Sequence, residues 1–272
     1  MSMHSPETEY SALIKSIRKK RKIVGVLTVI AVIIAAVAAS PGSITVPGKT
    51  MTFQGMNPVL TVLLILLILF CALIAYTAVS LPLTNSLNTE CDPQKHLALN
   101  TMLNTSKHPE QILVTDYTYL GDFETALKYA DMLTKSGKPV TVLSGLFNKA
   151  RCEFFLGDFE ALKQTVSDYE ALSVSIRKLS PKKRAMFDKI GRALRLSAAI
   201  ADEDKERISE FRGIENWSAS KATQGYINYL EGVAAYYSGD KNEAVYRLMR
   251  VKDECSKTVF ASMADEYLSH IS

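Results

Sequence analysis

Between Lys49 and Glu90 the chain carries no charged residue, and from Pro58 to Leu81 it is almost purely apolar. The run Val59-Leu60-Thr61-Val62-Leu63-Leu64-Ile65-Leu66-Leu67-Ile68-Leu69-Phe70 continues through Ala75 to Leu81. About 20 such residues cross the hydrocarbon layer of a bilayer, where a single segment satisfies its own backbone hydrogen bonds only as helix. A second apolar segment, Ile23 to Ala39, precedes it. The pattern predicts a transmembrane hairpin over 23–81, with helices at about 23–40 and 58–81. In the connecting loop 41–57, alternating Ile44, Val46, Met51 and Phe53 predict a small β-hairpin.

Charge sets the expected topology. Residues 1–22 hold Lys15, Arg18, Lys19, Lys20, Arg21 and Lys22 against Glu7 and Glu9, while the loop holds Lys49 alone. Positive charge stays on the cytoplasmic side, so the expectation is a multi-pass protein of the cell membrane. Its N-terminus and its C-terminal domain, 90–272, would both be cytoplasmic. An alternative treats residues 1–39 as a signal peptide cleaved after Ala36-Val37-Ala38; the long N-region weighs against it, and the second span still delivers the domain to the cytoplasm. The region beyond 90 is nearly neutral, which gives no electrostatic argument for nucleic acid. Neither span contains an Asp, Glu, Lys, Arg or His, which disfavours transport by this chain alone. Ala31, Ala35 and Ala39 make a smooth ridge suited to close packing, against the second span or against another copy in a homo-oligomer.

Beyond Glu90 the pattern is of short amphipathic helices, and a phrase recurs. Residues 119–126 read Tyr-Leu-Gly-Asp-Phe-Glu-Thr-Ala, 155–161 read Phe-Leu-Gly-Asp-Phe-Glu-Ala, and 237–244 read Tyr-Ser-Gly-Asp-Lys-Asn-Glu-Ala. An aromatic ends one helix, Gly permits a left-handed turn, and Asp caps the next helix. Asp240 and Glu243 have capping-box spacing. The segment between the second and third copies exceeds two ideal repeats; it predicts a helix over Lys182–Ala201 with a short partner, Asp204–Phe211. Asp92-Pro93 predicts the start of a lead-in helix, Pro93–Leu103, and Thr258–His270 a capping helix. The fold class expected is all-α.

The phrase resembles the turn of a tetratricopeptide repeat, over roughly 107–175 and 217–256. Aligned on Gly121, Gly157 and Gly239, the small positions of the first helix fall on Val114, Ala150 and Gly232, and those of the second on Ala126, Leu162 and Ala244. The second copy departs, with Ala161 one residue early. The resemblance implies an α-solenoid that binds peptide segments along Gln111, Thr115 and Thr118, then Phe147, Arg151 and Phe154, then Tyr229, Val233 and Tyr236. Arg151, the one charge among them, would pair a partner's carboxylate.

No Walker loop, GxSxG, HExxH or paired-cysteine metal site is present, so the expectation is a non-catalytic protein without cofactor. Cys91, Asp92 and His96 form at most half a metal site, with no second pair of ligands. From Arg177 to Arg195 eight basic residues face a single acid, Asp188. Lys182, Lys183, Arg184, Lys189, Arg192 and Arg195 are therefore candidates for contact with anionic membrane lipid. The function expected is a scaffold or adaptor holding a protein partner at the membrane. The alternative is an accessory subunit that meets a larger membrane complex through its hairpin.

Overall fold

The computed structural model describes residues 10–46, 49–53, 55–103, 109–176 and 178–271. Among them are twelve helices and one two-stranded hairpin, so the chain is all-α apart from that hairpin; it divides into two units, 1–82 and 83–272.

The first unit holds helix α1 (Ser11–Ala39), the antiparallel strands β1 (Gly42–Val46) and β2 (Lys49–Phe53), and most of helix α2 (Pro58–Asn88). The expected small hairpin is present, with Ile44 opposite Met51 and Gly42 opposite Phe53. Both helices outrun the predicted spans: α1 already begins ahead of the basic cluster, and α2 continues past Leu81 through Pro82 to Asn88. At about 1.5 Å per residue they reach roughly 44 and 46 Å, against about 30 Å of hydrocarbon. Each therefore has turns to spare outside an apolar layer. Ile23, Leu27, Ile34, Val37, Leu60, Leu67, Phe70 and Leu73 are all exposed, the reverse of a core helix. Two helices are thus long and apolar enough to cross a membrane.

Side chains join α1 to α2. Arg21 Nη2 donates to Ser80 Oγ at 2.9 Å, and the guanidinium lies over the Tyr76 ring at 5.0 Å. Arg and Tyr together favour the membrane–water boundary, which this contact fits. Of the alanine ridge, Ala35 is buried, and Ala31 lines an apolar concavity with Leu67, Ile68 and Cys71. Ala39 is half-buried at the helix end, where the neighbouring Ala38 carbonyl accepts from the N–H of Met56 at 3.3 Å.

In the second unit α3 (Pro93–Leu103) has the expected bounds, and Asp92 caps it by accepting from the N–H of Lys95 at 2.9 Å. Helices then follow in pairs: α4 (Pro109–Leu120) with α5 (Phe123–Thr134), α6 (Pro139–Leu156) with α7 (Phe159–Ser175), α8 (Pro181–Ala201) with α9 (Lys205–Phe211), and α10 (Lys221–Tyr237) with α11 (Lys241–Glu254). Helix α12 (Val259–Ile271) ends the array.

One turn builds all four pairs. Gly121, Gly157 and Gly239 are left-handed, with φ of 85°, 74° and 78°. In each turn the following Asp N–H bonds back across the helix end, to the carbonyls of Tyr117, Glu153 and Ala235. The same Asp side chain then caps the next helix, accepting from Thr125, Ala161 and Glu243 N–H groups at 3.1, 3.3 and 3.2 Å. One aspartate thus closes one helix and opens the next. The capping box is half made, since the Glu243 carboxylate turns to Arg247 at 2.7 Å. The fourth turn escapes the sequence pattern because Glu203, not glycine, takes the left-handed position, at φ 53°. Asp204 N–H still reaches the Ala199 carbonyl at 3.0 Å, and its side chain caps α9. Strain of about 1 kcal/mol is tolerated there.

The first helices of the pairs form a contacting layer, α4 against α6, α6 against α8, and α8 against α10. Val114, Ala150, Ala126, Leu162 and Ala244 are all fully buried at the pair interfaces, and a Cβ on Gly232 would meet Leu248 at 2.8 Å. Helix α12 does more than cap. It packs on α11 and α10 and also reaches α4. Its Phe260 is fully buried among the rings of Tyr119, Phe155, Tyr226 and Tyr229, at centroid distances of 5.4–5.7 Å.

Candidate functional site

The inner layer encloses a cavity of about 460 Å³. Thr115 and Tyr119 of α4, Phe147 and Arg151 of α6, Ile190 of α8 and Trp217 of the 212–220 segment line it. That segment is pinned from two sides. The buried Glu231 carboxylate accepts from the N–H groups of Ile214 at 2.8 Å and Gly213 at 3.1 Å. Arg192 donates to the carbonyls of Phe211 at 3.0 Å and Glu210 at 3.1 Å, closing the end of α9.

Arg151 is the unusual member. Only 2% of it is exposed, so it is not the open groove charge that the helical register predicts. Its guanidinium carbon lies 4.1 Å from the Tyr226 ring centroid and 5.1 Å from those of Tyr119 and Phe147. Nη1 donates to Asn148 Oδ1 at a long 3.4 Å, while Nε and Nη2 are buried without a hydrogen-bond partner. Each buried unpaired donor costs about 1–3 kcal/mol, more on a charged group, and ring faces return only part of that. Burial pushes the Tyr119 and Tyr226 phenols above their ordinary range, and the Arg151 charge opposes that rise. Among the described residues lining the cavity none is acidic.

The structure divides the nine residues of the expected groove. Gln111, Thr115, Phe147 and Arg151 line this cavity. Phe154, Tyr229 and Tyr236 line another, of about 490 Å³, with Tyr267 and His270 of α12. Thr118 and Val233 line neither: Thr118 is buried with its hydroxyl bonded to the Val114 carbonyl at 2.6 Å, and Val233 is core. The continuous groove is interrupted because Phe260 fills the middle of the face.

A third cavity, about 410 Å³, shares Thr115, Tyr119 and Thr223 with the first and holds His96 and Asn100. There His96 Nδ1 lies 2.6 Å from Asp116 Oδ1, while Oδ2 of this wholly buried carboxylate has no partner. The rest of the drawn metal half-site is likewise engaged elsewhere, for Asp92 pairs with Lys257 at 2.6 Å and Cys91 is buried against Cys255. Among the described residues no three His, Cys, Asp or Glu converge.

Burial raises the Asp116 pKa to about 6, with His96 working against it. The folded state therefore favours the neutral acid. Its contribution is full below the unfolded pKa of 3.8 and is lost as pH rises through about 6. Between about pH 4 and pH 7 the chain is expected to lose about 2 kcal/mol that an Asp116→Asn variant does not lose. Urea midpoints of both proteins at the two pH values check this.

Of the basic run, Arg177 lies outside the described residues. Lys189 pairs with Glu215 at 2.7 Å, Arg195 with Glu170 at 2.9 Å, and Arg184 donates to the Ile176 carbonyl at 2.7 Å. With Arg192 committed to α9, four of the six lipid-contact candidates have internal partners, and Lys182 and Lys183 stay exposed at the start of α8. Sequence reasoning missed Trp217, Glu231 and Asp116. Trp217 is the only tryptophan of the chain, a signal that was available; nothing in the pattern marked the other two. No family model matches the chain, and neither a curated protein nor a solved structure matches it.

Proposed function

We propose that this chain is a membrane-anchored, non-catalytic interaction module of the tetratricopeptide type, holding a protein partner at the cytoplasmic face. The observation that carries the reading is the cavity walled by the first helices of successive pairs, with a buried arginine in its lining and, among the described residues there, no acid. Helical-hairpin arrays recognise peptide segments along that layer. The anchor is the pair of apolar helices, and the basic cluster of residues 15–22 supports a cytoplasmic N-terminus. An even number of spans returns the second unit to the same side.

Photocrosslinking in intact cells tests this from two positions. Gln111 is exposed at the cavity mouth, and Ile33 is 56% exposed on α1. A probe at Gln111 is expected to give one defined protein adduct, lost when Thr115 is changed to Phe. Protein adducts from Ile33 alone would instead make the chain an accessory subunit that docks through its membrane hairpin.

A further inference from the structure

We infer that Arg151 anchors a carboxylate joined to a small apolar group, and that the cavity lined by Thr115, Phe147, Ile190 and Trp217 receives that ligand. The inference rests on the reading that this cavity is the protein's binding site, and it adds the chemistry of what binds. Nε and Nη2 are not two arbitrary orphans. They are the two nitrogens on one edge of the guanidinium, the edge that meets both oxygens of a carboxylate in a side-on fork. Nη1, outside that edge, is the nitrogen held by Asn148. The guanidinium carbon lies 4.1 Å from the Tyr226 ring centroid, an aromatic contact that helps hold the cation in place while Nε and Nη2 stay buried and unbonded.

The rest of the lining sets what is attached to the carboxylate. Met186, Ile190 and Trp217 offer apolar surface, and Thr115, Ser144 and Ser218 offer hydroxyls. Among the described residues lining the cavity no carboxylate competes for the arginine. A polypeptide ending in an apolar residue presents this chemistry, and so does a free organic acid of similar size.

The full-length chain in lipid nanodiscs carries its own reporter, since Trp217 is its single tryptophan and lines the cavity. N-acetyl-leucine is expected to change Trp217 emission saturably, with a dissociation constant of about 1 mM or tighter. N-acetyl-leucinamide, the same shape without the charge, is expected to bind at least about tenfold more weakly. Arg151→Lys keeps a cation but loses the two-donor edge, and is expected to weaken the acid by about tenfold or more. The acid-against-amide comparison uses the unaltered chain, so it stands even if that variant folds poorly. A hexapeptide ending in free leucine that binds at least about tenfold more tightly than N-acetyl-leucine identifies a chain terminus as the source; equal binding identifies a small acid. Equal affinity for acid and amide, undiminished acid binding by Arg151→Lys, or no response to acid and hexapeptide would overturn the inference. If acid and amide bind equally and Thr115→Phe removes both, the cavity remains the binding site and only its chemistry is misassigned. If Gln111 gives no protein crosslink and Thr115→Phe changes nothing, the binding-site reading itself fails.

Discussion

Replacing Gly145 with valine is expected to destabilise the second unit by about 3 kcal/mol or more, enough to leave it marginal. A Cβ at this position would lie 2.7 Å from the Thr134 nitrogen and 2.9 Å from the Leu133 carbonyl carbon. Both are backbone atoms at the end of α5, where α5 and α6 make the most extensive helix contact of the unit. No rotamer change relieves such a clash; one helix must move, and Leu133 and Leu143, both fully buried, move with it. Valine is a slightly better helix former than glycine, by a few tenths of a kcal/mol, far too little to offset this. Gly137, in the turn between the same two helices, is the control. A Cβ there meets nothing within 4 Å, and the residue is not left-handed. Gly137→Ala is expected to be neutral or stabilising by up to about 1 kcal/mol. Urea midpoints followed by Trp217 fluorescence of the full chain separate the two, and a cost below about 1 kcal/mol for Gly145→Val would disprove the close approach.

These two glycines also show what a sequence can convey. The three Gly-Asp turns were legible because the left-handed position and the cap are local: each needs only its own few residues. The lead-in helix, the long α8 and the membrane-length segments were legible for the same reason, being matters of periodicity and run length. Gly145 was not, because its role depends on the backbone of Leu133 and Thr134, which only packing brings near. Glu203 hid the fourth turn since it takes a glycine's conformation without being one. Arg151 shows the same limit in the site. Helical register placed it on the inner layer correctly, yet register cannot tell an open face from one sealed by Phe260, 109 residues further on. Asp116 and Glu231 were unreadable because a buried carboxylate is defined by the partners it meets, His96 and the Gly213–Ile214 backbone, and these are remote in sequence.

Phe260→Ala is expected to cost about 3–5 kcal/mol, far more than a terminal capping helix would lose. The ring is fully buried and touches aromatic rings from three other helices: Tyr119 on α4, Phe155 on α6, and Tyr226 and Tyr229 on α10. Truncation would leave a void that these large rings cannot collapse to fill, because each is held by its own neighbours. It would also open the face above Arg151, whose guanidinium carbon lies 5.9 Å from the Phe260 centroid. Phe260→Leu separates volume from ring chemistry: it keeps most of the burial and removes the π face, and is expected to cost about 1–2 kcal/mol. Phe159, 38% exposed at the start of α7, supplies the comparison, with about 1 kcal/mol or less expected for its change to alanine. Urea unfolding of the full chain reads all three. Equal small costs for Phe260→Ala and Phe159→Ala would mean that α12 only covers the end of the array. A large cost confined to Phe260→Ala would establish that helix α12 locks the first pair to the last.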